Sequence, residues 1–138
     1  MQKLMQKIVR DRRGELDEAA LVLPVLLLIS LALINMAILG FAAVNAGNAA
    51  NYGARMGSVA QTNPAGIAAN RANQMLAAAP VGTYAVSVTG SGLPGDVMTV
   101  QIRYTVPNYF GGLAGFFGVS IPGNFTNTAT AYFRQEGW

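Results

Sequence analysis

Residues able to perform acid–base, nucleophilic or metal chemistry are scarce in this 138-residue chain. It has no cysteine and no histidine, so disulfides, thiolate or imidazole catalysis and the usual zinc ligands are excluded. Beyond residue 18 the only carboxylates are Asp96, in a predicted turn, and Glu136. They are far apart in sequence, and the strand pattern gives no reason to expect them together, whereas acid–base catalysis needs a positioned titratable group. The sequence therefore predicts no enzyme activity, small-molecule substrate, cofactor or metal site.

The charge of the chain is low and unevenly placed. Charged residues make up 11% of the sequence, less than half of the roughly 25% typical of soluble proteins. Five of the nine basic residues lie in the first thirteen positions, and no basic stripe with interleaved aromatic residues follows, so nucleic acid is not a predicted partner. This distribution favours a chain that resides in a membrane or in a packed assembly.

The element that decides the class is an uncharged apolar run from Ala19 to Val44. As a helix its 26 residues span about 39 Å, more than the ~30 Å hydrocarbon core of a bilayer. A cleaved signal peptide has a shorter apolar region and a small-residue cleavage site, and a domain this small could not surround such a helix. We therefore predict a membrane anchor or a helix of a bundle, with a local loosening at Pro24.

Basic residues before the apolar run predict its orientation. Since Lys and Arg remain on the cytoplasmic side, the head that follows the helix is expected outside the cytoplasmic membrane. The predicted organisation is a basic leader over residues 1–18, a long helix over 19–60 and an extracytoplasmic α+β head over 61–138.

Small residues dominate the helix beyond Val44 and repeat at spacings of about one helical turn. Such rows let two helices approach closely, and the partner is either a neighbouring subunit or the sheet of the same chain. The predicted helix-packing positions are Pro24, Ala42, Ala46, Gly47, Ala50, Gly53, Ala54 and Gly57.

The remaining sequence predicts the elements of the head. Asn63 and Pro64 are typical of a helix N-cap and first helical position, and they open an Ala-rich helix that ends before Pro80. Three runs with a period of two then follow: one from Thr83, one containing VMTVQIRYTV, and FTNTATAYFR. They predict a three-stranded antiparallel meander with one polar face, packed on the upper half of the long helix.

A glycine-punctuated aromatic stretch lies between the second and third strands and is predicted to be a loop. Its apolar side chains either fold back as a lid on the core or form an exposed patch that meets a neighbouring subunit. The residues assigned to this subunit-contact loop are Tyr109, Phe110, Leu113, Phe116 and Phe117.

Several segments together carry a family resemblance. Arg-Arg-Gly at 12–14 and Glu18 lead into ALVLPVLLL, followed by NYGARMGSVA and by the strands VMTVQIRYTVP and TATAYFRQEG. In these segments the chain resembles the TadE-like family of pseudopilins of the tight-adherence (Tad, Flp-type) pilus. The resemblance implies a structural subunit that starts in the cytoplasmic membrane and ends in the helical core of an extracellular filament, with copies of itself and other pilins as partners.

The resemblance also implies roles for residues around the leader. In that family a prepilin peptidase cuts after a glycine, which would place cleavage between Gly14 and Glu15. Glu18 would pair with a neighbour's N-terminal amine, or with Arg12 or Arg13 of an adjacent chain, and so set the register of assembly. The alternative is a carboxylate in the first helical turn, favoured by the helix dipole.

Two functions therefore remain open from the sequence. The first is a pilin-like subunit, major or minor, that polymerises through its apolar helix. The second is a monomeric membrane-tethered adhesion module whose sheet or aromatic loop binds a surface ligand.

Overall fold

The computed structural model describes residues 2–116, 118–121 and 123–136, with the backbone alone for residues 2–17, Leu113 and Phe116. The elements in chain order are α1 (Gln2–Ser58), α2 (Pro64–Ala77), β1 (Thr83–Thr89), β2 (Val97–Val106), α3 (Tyr109–Phe116) and β3 (Phe125–Arg134). The predicted α+β class is confirmed, with its long apolar helix, second helix and three-stranded antiparallel sheet.

Helix α1 is 57 residues long and continues through Pro24. It ends at Ser58, whose hydroxyl donates to the carbonyl of Arg55 at 2.9 Å and so satisfies one of the last free carbonyls. Because α1 begins at Gln2, Glu18 lies many turns inside the helix and not in its first turn. In the uncut chain the helix dipole would therefore contribute little at Glu18, since that effect fades beyond the terminal turn. Cleavage after Gly14 would bring Glu18 into the first turn, so the dipole interpretation stays an alternative.

Helix α2 begins as the sequence predicts. Asn63 is the N-cap, its side-chain oxygen accepts from the backbone N–H of Gly66 at 3.1 Å, and Pro64 takes the first helical position. Asn63 adopts a left-handed conformation with φ 47°, which asparagine tolerates better than most residues. The cap thereby fixes where the chain turns from α1 into α2.

The sheet is a meander in the order β1-β2-β3, with antiparallel pairing throughout. Alternate residues of β2 are buried, and Val100, Ile102 and Val106 have no accessible surface. The intervening residues of all three strands face solvent, as the period of two predicts.

The core of the head combines this buried sheet face with alanines of α1 and α2. Ala46, Ala50 and Ala54 of α1 and Ala68 and Ala72 of α2 are completely buried. Alanine allows close approach of the helix backbones to each other and to the sheet, so a small domain reaches a dense core with few large side chains. The sequence prediction that the sheet packs on the upper part of α1 is confirmed.

The segment after β3 ties the ends of three elements together. Glu136 N–H donates to the carbonyl of Ser58 at 2.9 Å, and the Gln135 side-chain amide donates to Ala60 O, also at 2.9 Å. Gln135 N–H donates to the carbonyl of Asp96 at 2.7 Å, and Gly95 N–H donates back to Gln135 O. We call residues 135–136 the C-terminal strap.

The predicted aromatic loop contains a helix. Residues Tyr109–Phe116 form α3, which is followed by the bond from Val119 N–H to the Ala114 carbonyl at 2.9 Å. The chain divides into two compact units, one made of Met1–Asn35 with Tyr109–Ile121 and the other of Met36–Asn108 with Pro122–Trp138. The segment with α3 thus belongs to the same unit as the N-terminal part of α1.

Candidate assembly interface

The N-terminal part of α1 exposes an unusual amount of apolar surface. Except for one less exposed stripe through Leu28, Leu31 and Asn35, most large aliphatic side chains of this segment are more than half exposed, and they include Leu21, Val22, Leu23, Val25, Leu26, Ile29, Leu33 and Ile34. Soluble monomers rarely expose apolar patches this large, and such patches mark membrane or protein contacts. The surface therefore requires lipid or another protein to cover it.

One described helix, Glu18–Ser58, is long and apolar enough to cross a membrane. Only 6% of its most apolar window is buried, whereas the core helix of a soluble protein would be mostly buried. The polar Ser30 side chain in this window donates to the Leu26 carbonyl at 2.8 Å, so its hydroxyl is satisfied within the helix. This segment is compatible with hydrocarbon surroundings.

The small residues of α1 separate onto two faces. The inner face is fully buried against the head and consists of Ala42, Ala46, Ala49, Ala50, Gly53, Ala54 and Gly57. A Cβ built on Gly53 would lie 2.6 Å from the Ala68 carbonyl oxygen and 2.9 Å from the Ala72 Cβ. The sequence leaves open whether the small residues pack on a neighbouring subunit or on the same chain. The inner face packs on the sheet and α2 of its own chain.

Gly47 lies elsewhere, on what we call the outer face of α1. A Cβ at Gly47 or Gly40 would meet nothing within 4 Å. Between them, Phe41 and Val44 are 51% and 60% exposed. The outer face comprises Gly40, Phe41, Val44, Gly47, Asn48, Asn51 and Tyr52. The outer face thus contains two glycines seven residues apart and exposed apolar side chains. This composition is suited to close packing of a second helix.

The residues predicted for processing and register are only partly described. Glu18 is exposed. The side chains of Arg12, Arg13 and Glu15 lie outside the described residues, and for Gly14 the structure gives a helical backbone. Cleavage at Gly14 and the pairing of Glu18 with a neighbouring chain stay predictions.

The aromatic segment is described in part. Tyr109 is 55% exposed, Phe110 is half-buried and Ala114 is buried. The side chains of Leu113 and Phe116, and all of Phe117, lie outside the described residues. Contact of this segment with a neighbouring subunit stays a prediction.

The two acids of the head lie closer together than the sequence suggests. Pairing of β2 with β3 puts Asp96 beside Gln135, and therefore places Asp96 and Glu136 at the same end of the sheet. The strand pattern alone gives no reason to expect this proximity, because it depends on the register Val97↔Arg134, which aligns the ends of these strands. The Asp96 carboxylate accepts from the Ser91 hydroxyl, and Glu136 is exposed.

A pocket of about 240 Å³ adjoins the C-terminal strap. Its lining is Ala60, Gln61, Gly92, Pro94, Gln135 and Glu136. Within the part of the chain that the structure describes, no group of three or more Asp, Glu, His or Cys residues could hold a metal ion. The sequence did not predict that Gln135 joins the end of α1 to the start of β2. The only feature that could have indicated this role is its position directly after the third period-two run.

Comparison with known proteins supports the predicted resemblance over the helix. A model of the family described as TadE-like protein matches residues 18–55, which contain the exposed apolar run and most of both faces of α1. This is a structural family associated with the Tad pilus. No match was found among curated proteins or among solved structures. Residues 18–55, which carry the exposed apolar run, are therefore similar to the TadE-like family.

Proposed function

We propose that the chain is a pilin-like structural subunit of the Tad pilus, which assembles through α1. The observation that carries the proposal is the exposure of the apolar run, of which only 6% of the most apolar window is buried within the chain. An isolated chain leaves this surface open, and lipid before assembly or sister helices after it would cover it. The TadE-like match over residues 18–55 supports the same role.

The outer face extends the contact from the apolar run into the head. Val44 and Phe41 supply exposed apolar area, and Gly40 and Gly47 leave open space for a neighbouring helix. Burial of apolar surface is worth about 25 cal/mol per Å², so several half-exposed aliphatic and aromatic side chains per subunit contribute substantially. Repetition of this contact along an axis produces a filament when the rotation between subunits does not close a ring.

Glu18 lies at the start of the apolar run and would set the register of this packing. A carboxylate transferred beside lipid or packed helices needs a cation, because burial of an unpaired charge is strongly unfavourable. The arginines at 12 and 13 of an adjacent chain, or a neighbour's N-terminal amine, are the cations that the sequence offers. Subunits offset along the filament axis would bring these groups together.

Membrane insertion precedes assembly in this proposal. The five basic residues within the first thirteen positions favour a cytoplasmic leader, with the head outside and later on the cell surface. The absence of native cysteine permits a direct test by single-cysteine labelling. A Thr128→Cys variant should react with a membrane-impermeant maleimide in intact cells, whereas Gln6→Cys in a chain that retains its leader should react only after lysis.

The assembly contact is tested by substitutions on the outer face. Gly40→Leu and Gly47→Leu add a bulky side chain where the folded monomer has open space, and they replace glycine with a better helix former, so the head should remain folded. Both should abolish or strongly reduce filaments and cross-linked oligomers of the full chain in membranes. Asn73→Leu, which places the same side chain at an exposed position of α2, is the matched control and should assemble like the wild type.

Two results would contradict the proposal. One is wild-type assembly by both outer-face variants. The other is a full-length protein that stays monomeric in membranes containing the complete set of pilus components.

A further inference from the structure

The solvent-facing side of the sheet has a composition unlike that of most exposed strands. We call the side opposite the core the open face, and its residues are Thr83, Ala85, Ser87, Thr89, Val97, Thr99, Gln101, Arg103, Thr105, Thr126, Thr128, Thr130, Tyr132 and Arg134. Nine of these fourteen side chains carry hydroxyl groups, two are arginines and none is acidic. The open face is therefore a continuous hydroxyl-rich surface with a positive charge.

The pairing of the three strands arranges these groups in rows across the sheet. Thr83, Thr105 and Thr126 form one row, and the Thr105 and Thr126 hydroxyls are 3.1 Å apart. A second row holds Ser87, Gln101 and Thr130, with a donor or acceptor on every strand. Short hydroxyl side chains lose little rotamer freedom on binding compared with lysine or glutamate, so the surface is largely preorganised for hydrogen bonds.

Arg103 is the charge at the centre of the open face. Its cross-strand neighbours are Ala85 and Thr128, and within the described residues its guanidinium has no hydrogen-bond or ion-pair partner. Arg134 differs, because its Nε donates to the Gly95 carbonyl at 2.8 Å. An arginine surrounded by short neutral side chains presents its full guanidinium fork, which binds carboxylates in a bidentate manner.

Tyr132 gives the open face an exposed aromatic ring. It is 67% exposed and lies opposite Thr99, next to the row that holds Gln101. With threonine as the directly paired neighbour, the ring is not covered by another large side chain. It lies four residues along the sheet from the row of Arg103, about 13 Å at 3.3 Å per residue. The aromatic ring and the guanidinium are thus spaced for an extended ligand and not for a single small molecule.

We propose that the open face binds an acidic polysaccharide of the uronic-acid type. The ring of Tyr132 would stack on a sugar, Arg103 would pair with a carboxylate, and the hydroxyl rows would hydrogen-bond to the sugar hydroxyls. The charge is complementary, since two cations and no acid face the ligand. A second copy docked face to face would bring like charges together, and single-stranded nucleic acid normally needs several stacking rings along a basic groove.

The test uses the full chain in detergent micelles with polygalacturonate as the probe. Wild-type protein should bind polygalacturonate and not neutral dextran, with binding that weakens as salt is raised. Arg103→Gln should lower the affinity about tenfold, the effect expected for loss of a charge-assisted contact. Tyr132→Ser should also weaken binding, by loss of the stacking ring.

Arg71→Gln is the matched control, because it removes the same charge from the exposed side of α2. It should leave the affinity unchanged. The proposal is overturned if dextran binds equally well, if Arg71→Gln weakens binding as much as Arg103→Gln, or if an oligo-dT competes as effectively as the polysaccharide. Binding is measured on dispersed protein, so failure of filament assembly would not affect the result.

Discussion

Gly53 provides the sharpest test of how α1 packs on the head. A Cβ at this position would lie 2.6 Å from a backbone oxygen of Ala68 and 2.9 Å from the Ala72 Cβ, both closer than real contacts allow. The obstructing atoms belong to the backbone and to the shortest side chain of α2, so no rotamer change can relieve them. Gly53→Ala must instead push α2 away from α1.

The expected magnitude follows from two opposing effects. Overpacking of a core by one methyl group typically destabilises by about 1–3 kcal/mol. Replacement of glycine by alanine within a helix stabilises by about 1 kcal/mol, and at Gly47, where a Cβ meets nothing, only this gain applies. Gly53→Ala should therefore be less stable than Gly47→Ala by about 1–3 kcal/mol.

Thermal unfolding of the head, followed by the near-ultraviolet circular dichroism of its tyrosines in detergent, measures this difference. For a domain of this size the two midpoints should differ by roughly 4 °C or more. Equal midpoints, or a more stable Gly53→Ala, would refute the close packing of α1 on α2. For the same reason a loss of oligomers in a Gly53→Leu variant would not report on assembly, because a leucine at this position disrupts the packing of α2 on α1.

Two further predictions concern the cap of α2 and the register of assembly. Asn63→Ala should lower the stability of the head by roughly 1–3 kcal/mol, because it removes the bond to Gly66 N–H and places alanine at φ 47°. Asn63→Gly, which accepts this φ, should lose less in the same melting experiment, and equal losses would contradict the conformational argument. Glu18→Arg should reduce cross-linked oligomers in membranes. In a chain that retains its leader, Arg12→Glu or Arg13→Glu on that background should restore part of them. Normal assembly of Glu18→Arg would exclude the register role.

Local sequence rules predict the elements of the head well where pattern and packing agree. In VMTVQIRYTV the alternation of apolar and polar residues matches the buried and exposed sides of β2. The pair Asn63-Pro64 carries its own cap chemistry and marks the start of α2 without tertiary information. In these segments the local preference and the final fold coincide.

Helix α3 is the element that local rules miss. Its sequence YFGGLAGF contains three glycines, each of which lowers helix propensity by about 1 kcal/mol relative to alanine. Such a segment favours a loop unless packing stabilises it, and Ala114, in its second turn, is buried. The helix therefore depends on tertiary contacts that periodicity does not reveal.

Periodicity also does not reveal which element packs against each glycine of α1. Gly47 and Gly53 lie in one small-residue stretch and look equivalent in sequence. They differ because α2 lies against Gly53 and nothing lies against Gly47. Likewise, Asp96 lies beside Gln135 because β2 and β3 pair in the register Val97↔Arg134. The sequence alone does not predict this register.

The C-terminal strap has a consequence for the order in which the head matures. The Gln135 side chain bonds to Ala60, 75 residues earlier in the chain. Contacts of such long sequence separation form slowly, since a large loop must close before they are gained. The last turn of α1 therefore gains its final hydrogen bonds only when residues 135–136 are in place. Under the proposed topology, a subunit halted before its third strand has crossed the membrane would have an anchor but no finished head, and its incorporation into a filament would have to wait for that strand.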